Sequence, residues 1–450
     1  MVFIEEIEGL LSMCYSVYRE YNWLMNAYVS DFYVKEHWGR LPKSWRDSLE
    51  NLSPDFLADI IDINKPLRAF QVLPLSLLSL RQTIKCLSLP RQQNINCLST
   101  PLLESLIEEN VLANKHFKNS FWKRIKLKKK HEIELLAKMC YKLASETDCY
   151  NIVDVGSGLG HLSRILSYKY GLHVCALEAQ EYLCSEAQKL DCAMQNSIKN
   201  NQLCFNGNMG VHHLNVRVKT NSDGDDILHA ARVAFGADNV QFGIVGLHPC
   251  GDLGPTLLRL FNRSPQVKFI NIVGCCYMKL SSLGYPLTTY TIQNKYDLEY
   301  SAREVACHAI EAYIERLKTG YHKQLKVHAY RAALEKLIVR RSPSMNHSQV
   351  CSVKCTDNLS FSEYCTSALT NLNIHFDESE LKSQEIELDL SKWKDVVVFY
   401  SLRLMIAPLV ENIITLDRML YTSRSGYRCK VNSIFNPELS PRNQVFTAVK

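Results

Sequence analysis

A glycine-rich turn constrains the fold of this chain more than any other segment. Residues 151–166 read NIVDVGSGLGHLSRIL, in which an apolar run is followed by three glycines within five positions and then by a helical pattern. Glycine lets the backbone approach a ligand closely, and the first N–H groups of a helix are free to bind it. The segment therefore predicts a strand, a ligand-binding turn and a helix.

Strand-like and helix-like runs alternate on both sides of this turn, which predicts right-handed crossovers and a parallel sheet covered on both faces. Near the end of the chain, CKVNSIFN and NQVFTAVK are joined by PELSPR and predict an antiparallel hairpin. The predicted fold is a doubly wound, Rossmann-like α/β sheet of seven strands. Its first five strands are expected near residues 151–156, 173–178, 211–220, 240–248 and 267–277.

The patterning predicts four segments along the chain. Residues 1–112 are expected to form an N-terminal helical domain, and 113–290 the core with its first five strands. Residues 291–428 are expected to be a mostly helical insertion, with a polar, serine-rich loop at 343–390. The hairpin at 429–450 would complete the core sheet.

Composition and the chain's apolar runs indicate the compartment. Seventeen cysteines lack the spacing of a disulfide framework, which indicates a reducing environment. The start, MVFIEEIEGLLSM, has acidic residues where a signal peptide needs basic ones. The apolar run from Leu404 to Leu416 is interrupted by Pro408 and Glu411, and we expect it to be too short for a membrane span. We predict a soluble cytoplasmic or nuclear protein with no membrane partner.

The spacing of the turn favours one ligand among three. Gly156, Gly158 and Gly160 give G-x-G-x-G, whereas a dinucleotide site has G-x-G-x-x-G and a P-loop needs G-K-[ST]. Asp154, before the turn, would repel a pyrophosphate but suits the ammonium of an amino-acid ligand. Glu178, at the end of the second strand, can accept both ribose hydroxyls. We predict S-adenosylmethionine as the cofactor, bound by Asp154, Gly156, Ser157, Gly158, Gly160, Glu178, Gly246 and Leu247.

The loop after the fourth strand, GLHPCGDLGP, carries the predicted catalytic residues, His248 and Cys250. A histidine there would face the crevice at the carboxyl ends of the strands. It would serve as a general base for the acceptor, or it would only anchor the loop or line the cofactor pocket.

Cysteines elsewhere raise the question of a metal. Cys275 and Cys276 lie at the end of the expected fifth strand and, with Cys250 and His248, resemble a zinc set. Adjacent cysteines in a strand point to opposite faces, so we predict packing residues and no metal. Cys351, Cys355 and Cys365 lack the second pair of a zinc motif.

A basic run from Lys123 to Lys130 precedes the first strand. Such a run is either a solvated face or a phosphate-binding surface. We predict that Lys128, Lys129, Lys130 and His131 bind substrate.

Several motifs together resemble the family of methyltransferase-like protein 25 and ribosomal RNA adenine dimethylase domain-containing protein 1. They are KKKHEI, VDVGSGLGHLSR, GLHPCGDL, VGCCYMKLS, FNPELSPRN and LRLMIAPLVENIITLDRMLY, and HWGRLPKSWRDSL extends the similarity towards the N-terminus. The resemblance implies a class I methyltransferase fold, whose sheet ends in an antiparallel hairpin, with the glycine turn as cofactor motif and Glu178 as ribose ligand. The HPCG and GCCY blocks are also similar to part of a tRNA 2′-O-methyltransferase, which implies an RNA acceptor.

These observations predict an S-adenosylmethionine-dependent methyltransferase acting on RNA (rRNA or tRNA) or on protein. A catalytically silent RNA- or protein-binding platform and an NAD-dependent oxidoreductase remain as alternatives. An N-P-P-Y motif, typical of many base N-methyltransferases, is missing after the fourth strand. The oligomeric state stays open.

Overall fold

The computed structural model describes residues 2–67, 71–98, 121–122, 125–200, 210–347, 350–354 and 356–450. Seven described strands form one sheet in the order β3-β2-β1-β4-β5-β7-β6. All neighbouring pairs are parallel except β5–β7 and β6–β7, which are antiparallel. This confirms the predicted α/β fold with its C-terminal hairpin. The strands are β1 Asn151–Val155, β2 His173–Glu178, β3 Val211–Asn215, β4 Phe242–Leu247, β5 Val267–Val273, β6 Arg428–Ser433 and β7 Gln444–Val449.

The central strands are nearly continuous apolar runs because helices cover both faces of the sheet. In β4 and β5 almost every residue is buried. Gly243 of β4 makes room for a neighbour, since a Cβ there would overlap the ring of Phe269 on β5. By contrast, β3 lies at an edge of the sheet and has a single buried residue, His213.

Contacts divide the chain into two compact units. The first, Met1–Ser12, Leu89–Asp297 and Asn412–Lys450, contains the sheet. The second, Met13–Ser88 and Leu298–Glu411, is helical in its described part. Residues 99–112 lie outside the described residues, and the four-segment division stays a prediction.

The α-helices of the first unit pack around the sheet. The α-helices of the second unit form that unit's own core. The first unit contains Leu127–Glu146, His161–Tyr170, Glu181–Asn200, Asp225–Phe235, Leu253–Arg263 and Thr289–Gln293. The second contains His37–Arg40, Lys43–Leu49, Pro54–Ile61, Leu75–Leu87, Tyr300–Val305, Ile310–Lys318, Lys326–Arg341, Phe361–Ala368, Glu378–Leu381 and Gln384–Ser391. Val2–Met25 and Trp393–Arg424 contribute residues to both.

The segment 343–390, expected to be a polar loop, contains three of these helices, so that expectation is wrong there. Ser360 and Glu363 form a capping box that starts one of them, and Asp377 and Glu380 form another. Reciprocal capping satisfies the first free N–H groups of a short helix. Phe361 is buried in an apolar cluster of this unit, so few apolar residues suffice to fix the helix.

Among the described residues one helix, Trp393–Arg424, is long and apolar enough to cross a membrane. The expectation that its apolar run is too short is therefore wrong, but 94% of its most apolar window is buried inside the protein. Asp417 of this helix accepts hydrogen bonds from the hydroxyls of Thr288 and Thr291, at 2.7 and 2.8 Å. Satisfied polar groups and burial are typical of a core helix.

Candidate functional site

The glycine turn joins β1 to the helix His161–Tyr170 and leaves one of its positions open. Gly156, Gly158 and Gly160 have φ of +77°, +57° and +68°, the left-handed region that other residues rarely adopt. The N–H groups of Gly156 and Ser157 donate to the carbonyl of Leu177 on β2, at 2.9 and 3.0 Å. Apart from the glycine and its two chain neighbours, no atom of the described residues lies within 4 Å of the position that a Cβ on Gly158 would take. A ligand can therefore reach the backbone at Gly158.

Glu178, the last residue of β2, lies directly beside this turn. Its carboxylate accepts the N–H of Gly158 at 2.9 Å and the N–H of Gln180 at 2.8 Å. A carboxylate offers about four acceptor positions, so these two bonds leave room for hydroxyl donors. The structure thus brings together the turn and the predicted ribose ligand.

Asp154 has a protein partner. Its side chain is buried, and Oδ2 accepts the hydroxyl of Ser163 at 2.6 Å. Burial raises the pKa of Asp154 to about 6; nearby Glu178 adds to this, while Ser163 and Lys129 oppose it. The observed bond ties β1 to the first turns of the next helix, and direct contact between Asp154 and a ligand stays a prediction.

Gly246 and Leu247 end β4, and the loop after the strand begins with His248. His248 has φ of +68° and lies with its Nε2 3.2 Å from Oε1 of Glu132. Its Nδ1 is buried and has no hydrogen-bond partner among the described residues. Because Glu132 accepts from Nε2–H, the tautomer with a free lone pair on Nδ1 is favoured.

Glu132 is a site residue that the sequence reasoning missed. It is buried in the helix Leu127–Glu146 and also accepts the hydroxyl of Ser440 at 2.6 Å, from the loop between β6 and β7. Burial alone would raise the pKa of Glu132, but His248, Ser440 and Lys128 together lower it, which favours the carboxylate. The signal in the sequence that could have found Glu132 is its place next to Ile133 on the apolar face of the helix.

The three cysteines after β4 and β5 converge. The sulfur of Cys250 lies 3.2 Å from that of Cys275 and 3.4 Å from that of Cys276. The prediction that two adjacent cysteines cannot enter one site is wrong, because β5 ends at Val273 and strand alternation ends with it. The hydrogen bond from Cys275 is the main cause that lowers the pKa of Cys250, to about 5.

The predicted substrate-binding residues divide into two groups. Lys128 and Lys129 are exposed, and Nζ of Lys130 lies 5.3 Å from the ring centroid of Trp122. His131 instead accepts the N–H of Asn436 at 2.8 Å with its Nε2, so its ring is engaged by the hairpin loop. The start of the basic run, Lys123 and Arg124, lies outside the described residues, as does Cys355.

Comparison with known proteins agrees with this geometry. Residues 128–283 match a family described as a methyltransferase domain. The mouse protein named "Probable methyltransferase-like protein 25" is 31% identical over 232 residues, 46% of this chain and 37% of that protein. The human protein of the same name is 24% identical over 458 aligned residues, 72% of this chain and 74% of that protein. No solved structure matches the chain significantly.

The matched domain contains β1 to β5 together with the glycine turn, Glu132, His248 and the three cysteines. These findings confirm the resemblance drawn from the sequence motifs. The chain is similar to the proteins named "Probable methyltransferase-like protein 25" and carries a methyltransferase domain at residues 128–283.

Proposed function

We propose that this protein transfers a methyl group from S-adenosylmethionine to RNA, in the cytoplasm or the nucleus. The observation that carries the proposal is the open glycine turn beside Glu178, at the carboxyl ends of β1 and β2 in a methyltransferase domain. Ligands of open α/β sheets bind at this edge. None of the fifteen described cysteines forms a disulfide bond, which is in keeping with a reducing compartment.

The residues of the turn fit the cofactor. The open position at Gly158 would receive its amino-acid or sugar portion, and the free acceptor positions of Glu178 would take the ribose hydroxyls. A buried acid at Asp154 adds negative charge near a site for a positively charged ligand. When bound, S-adenosylmethionine supplies an electrophilic methyl group on its sulfonium.

His248 and Glu132 suit proton removal from the acceptor. Glu132 orients the imidazole through Nε2, as carboxylates do in many general-base pairs. Nδ1 has no protein partner among the described residues and would accept the proton once the loop around it opens to the acceptor. A hydroxyl is a poor nucleophile until its proton leaves, so the pair would take up that proton as the oxygen attacks the methyl group. An amine attacks through its lone pair, and the pair would take up the proton that the nitrogen loses once it is methylated. Ser440 donates to the same oxygen of Glu132 and so holds the carboxylate in place.

An RNA acceptor is supported by the charge at the start of the helix Leu127–Glu146. Its first turn has three lysines and no acidic residue. The helix macrodipole makes cations unfavourable at this end, and an anion such as a phosphate relieves the repulsion. The same helix carries Glu132, so a bound phosphate backbone would lie on the element that supports His248.

Titration calorimetry tests the cofactor. We expect S-adenosylmethionine and its demethylated product to bind and NAD not to bind. Gly158→Ala places a methyl group in the open position and should weaken binding at least tenfold. Gly171→Ala is the matched control. Gly171 lies at the end of the helix His161–Tyr170 that follows the turn, has φ of +66° and has equally open space around its Cβ position.

Both substitutions impose the same backbone strain, of about 1–2 kcal/mol. A selective loss of cofactor affinity in Gly158→Ala therefore cannot come from strain alone. Preferential binding of NAD, or equal effects of the two variants, would contradict the proposal.

A further inference from the structure

Three cysteine sulfurs lie together where the loops after β4 and β5 meet. The sulfur atoms of Cys250, Cys275 and Cys276 are all within 4.8 Å of one another. Two of the three separations are 3.2 and 3.4 Å. Three thiols at such distances form a preassembled set of soft ligands.

The two loops are fixed to each other, so the cluster does not depend on one flexible side chain. A Cβ on Gly251 would lie 2.9 Å from the carbonyl oxygen of Lys279, which means that the backbones touch here. Asp252 accepts the N–H of Ser281 at 2.8 Å and its hydroxyl at 2.5 Å. These contacts set the position of Cys250 relative to Cys275 and Cys276.

The separations suit a tetrahedral metal ion. A Zn–S bond of about 2.3 Å gives sulfur atoms about 3.8 Å apart in a tetrahedron. The two distances of 3.2 and 3.4 Å fall below this value and the third is at most 4.8 Å, so movements of about 1 Å or less would form the site. Iron–sulfur clusters are usually held by four cysteines, whereas this group has three among the described residues.

A second cluster of metal-ligand type lies in the helical unit, but its charges are already compensated. It consists of Asp31, Glu335 and His347. Lys35 lies 2.6 Å from Asp31, and Arg331 lies 3.3 Å from Glu335. The cysteine cluster is therefore the stronger metal site.

We propose that Cys250, Cys275 and Cys276 bind one zinc ion as thiolates, with the fourth coordination position open. Each thiol loses its proton to solvent as its sulfur–zinc bond forms. Cys275 is buried and Cys250 is exposed, so the ion would lie at the surface of the crevice with solvent on one side. Three protein ligands and an open position are typical of zinc sites that bind water or a substrate atom. This inference does not depend on the proposed RNA acceptor.

Metal analysis of the full-length protein, purified under reducing conditions after growth with zinc, tests the site. We expect about one zinc per chain, and X-ray absorption showing about three sulfur neighbours at about 2.3 Å. Cys250→Ser and Cys276→Ser should each lose most of the zinc. Cys192→Ser, at an exposed cysteine outside the cluster, should keep it.

The X-ray absorption measurement uses the unmodified protein, so it stands even where a serine variant folds poorly. Removing the metal with a chelator and titrating zinc back should restore one bound ion per chain. A metal-free reduced protein that does not take up zinc, stoichiometric iron, or zinc retained by both cluster variants would overturn the proposal.

Discussion

The proposed site has a cofactor half and an acceptor half, and they are assembled in different ways. The cofactor half consists of the glycine turn, Asp154 and Glu178, and its key hydrogen bond joins residues 20 positions apart. The acceptor half consists of His248, Glu132, Ser440 and the three cysteines. Its hydrogen bonds join residues 116 and 308 positions apart. A local motif therefore defines the first half, and only the folded sheet defines the second.

This difference leads to separable effects of mutation. Changes in the cofactor half should alter binding of S-adenosylmethionine, and changes in the acceptor half should alter turnover at unchanged cofactor affinity.

His248→Asn should lower kcat the most. A general base contributes about 10²- to 10⁴-fold to the rate, and asparagine cannot accept the proton. The Kd for S-adenosylmethionine from calorimetry should stay within about twofold of wild type, since His248 lies in the acceptor half. A large rise in Kd with unchanged kcat would place His248 in the cofactor half instead.

Glu132→Gln should have a smaller effect in the same direction. A hydrogen bond to a charged group is worth about 1.5–3 kcal/mol, which corresponds to roughly 10- to 100-fold in rate. The double variant with His248→Asn should be little worse than His248→Asn alone, because Glu132 acts through His248. Additive losses in kcat from the two substitutions would show that they act separately.

Acid should weaken cofactor binding through Asp154. Because burial raises the pKa of Asp154 to about 6, the carboxyl takes up a proton as the pH falls through about 6 and loses its negative charge. The Kd for S-adenosylmethionine should therefore rise between pH 7 and pH 5, by at most about tenfold per pH unit below the pKa. Asp154→Asn should bind more weakly at pH 7 and show a flatter pH profile; an unchanged profile would remove Asp154 from the cofactor half.

Lys129→Gln should have the smallest effect. Its loss should weaken RNA binding a few-fold and reduce the slope of log K against log salt by about 1. Lys189→Gln is the control, since Lys189 is exposed, lies on the different helix Glu181–Asn200 and pairs with Glu186. Fluorescence anisotropy with a labelled single-stranded RNA gives both quantities, and equal slopes for the two variants would argue against a phosphate contact at Lys129.

Much of the cofactor half could be predicted from the sequence because its signals are local. The apolar run of β1, the glycine spacing and the acid at the end of β2 lie in one continuous stretch, and the structure places them together. Asp154 is the exception. An acid before the turn indicated a contact with the cofactor, but the bond of Asp154 to Ser163 depends on how the next helix packs.

The acceptor half could be predicted only in part. The sequence indicated His248, but its partner Glu132 lies on a distant helix, and no local pattern joins the two. The cysteine cluster was rejected because the strand was expected to run to residue 277, whereas β5 ends at Val273. Strand ends depend on the neighbouring strands and loops, so they are the least predictable part of an element from sequence alone.

Transfer of a labelled methyl group from S-adenosylmethionine is the most direct test of RNA methylation by this protein. Total cellular RNA and total cellular protein would be offered separately to the wild type, His248→Asn and Gly158→Ala. We expect nuclease-sensitive label in the RNA with wild type and little with either variant. Label in the protein pool alone would contradict the RNA acceptor, and label in neither pool would show a platform that binds without catalysing transfer.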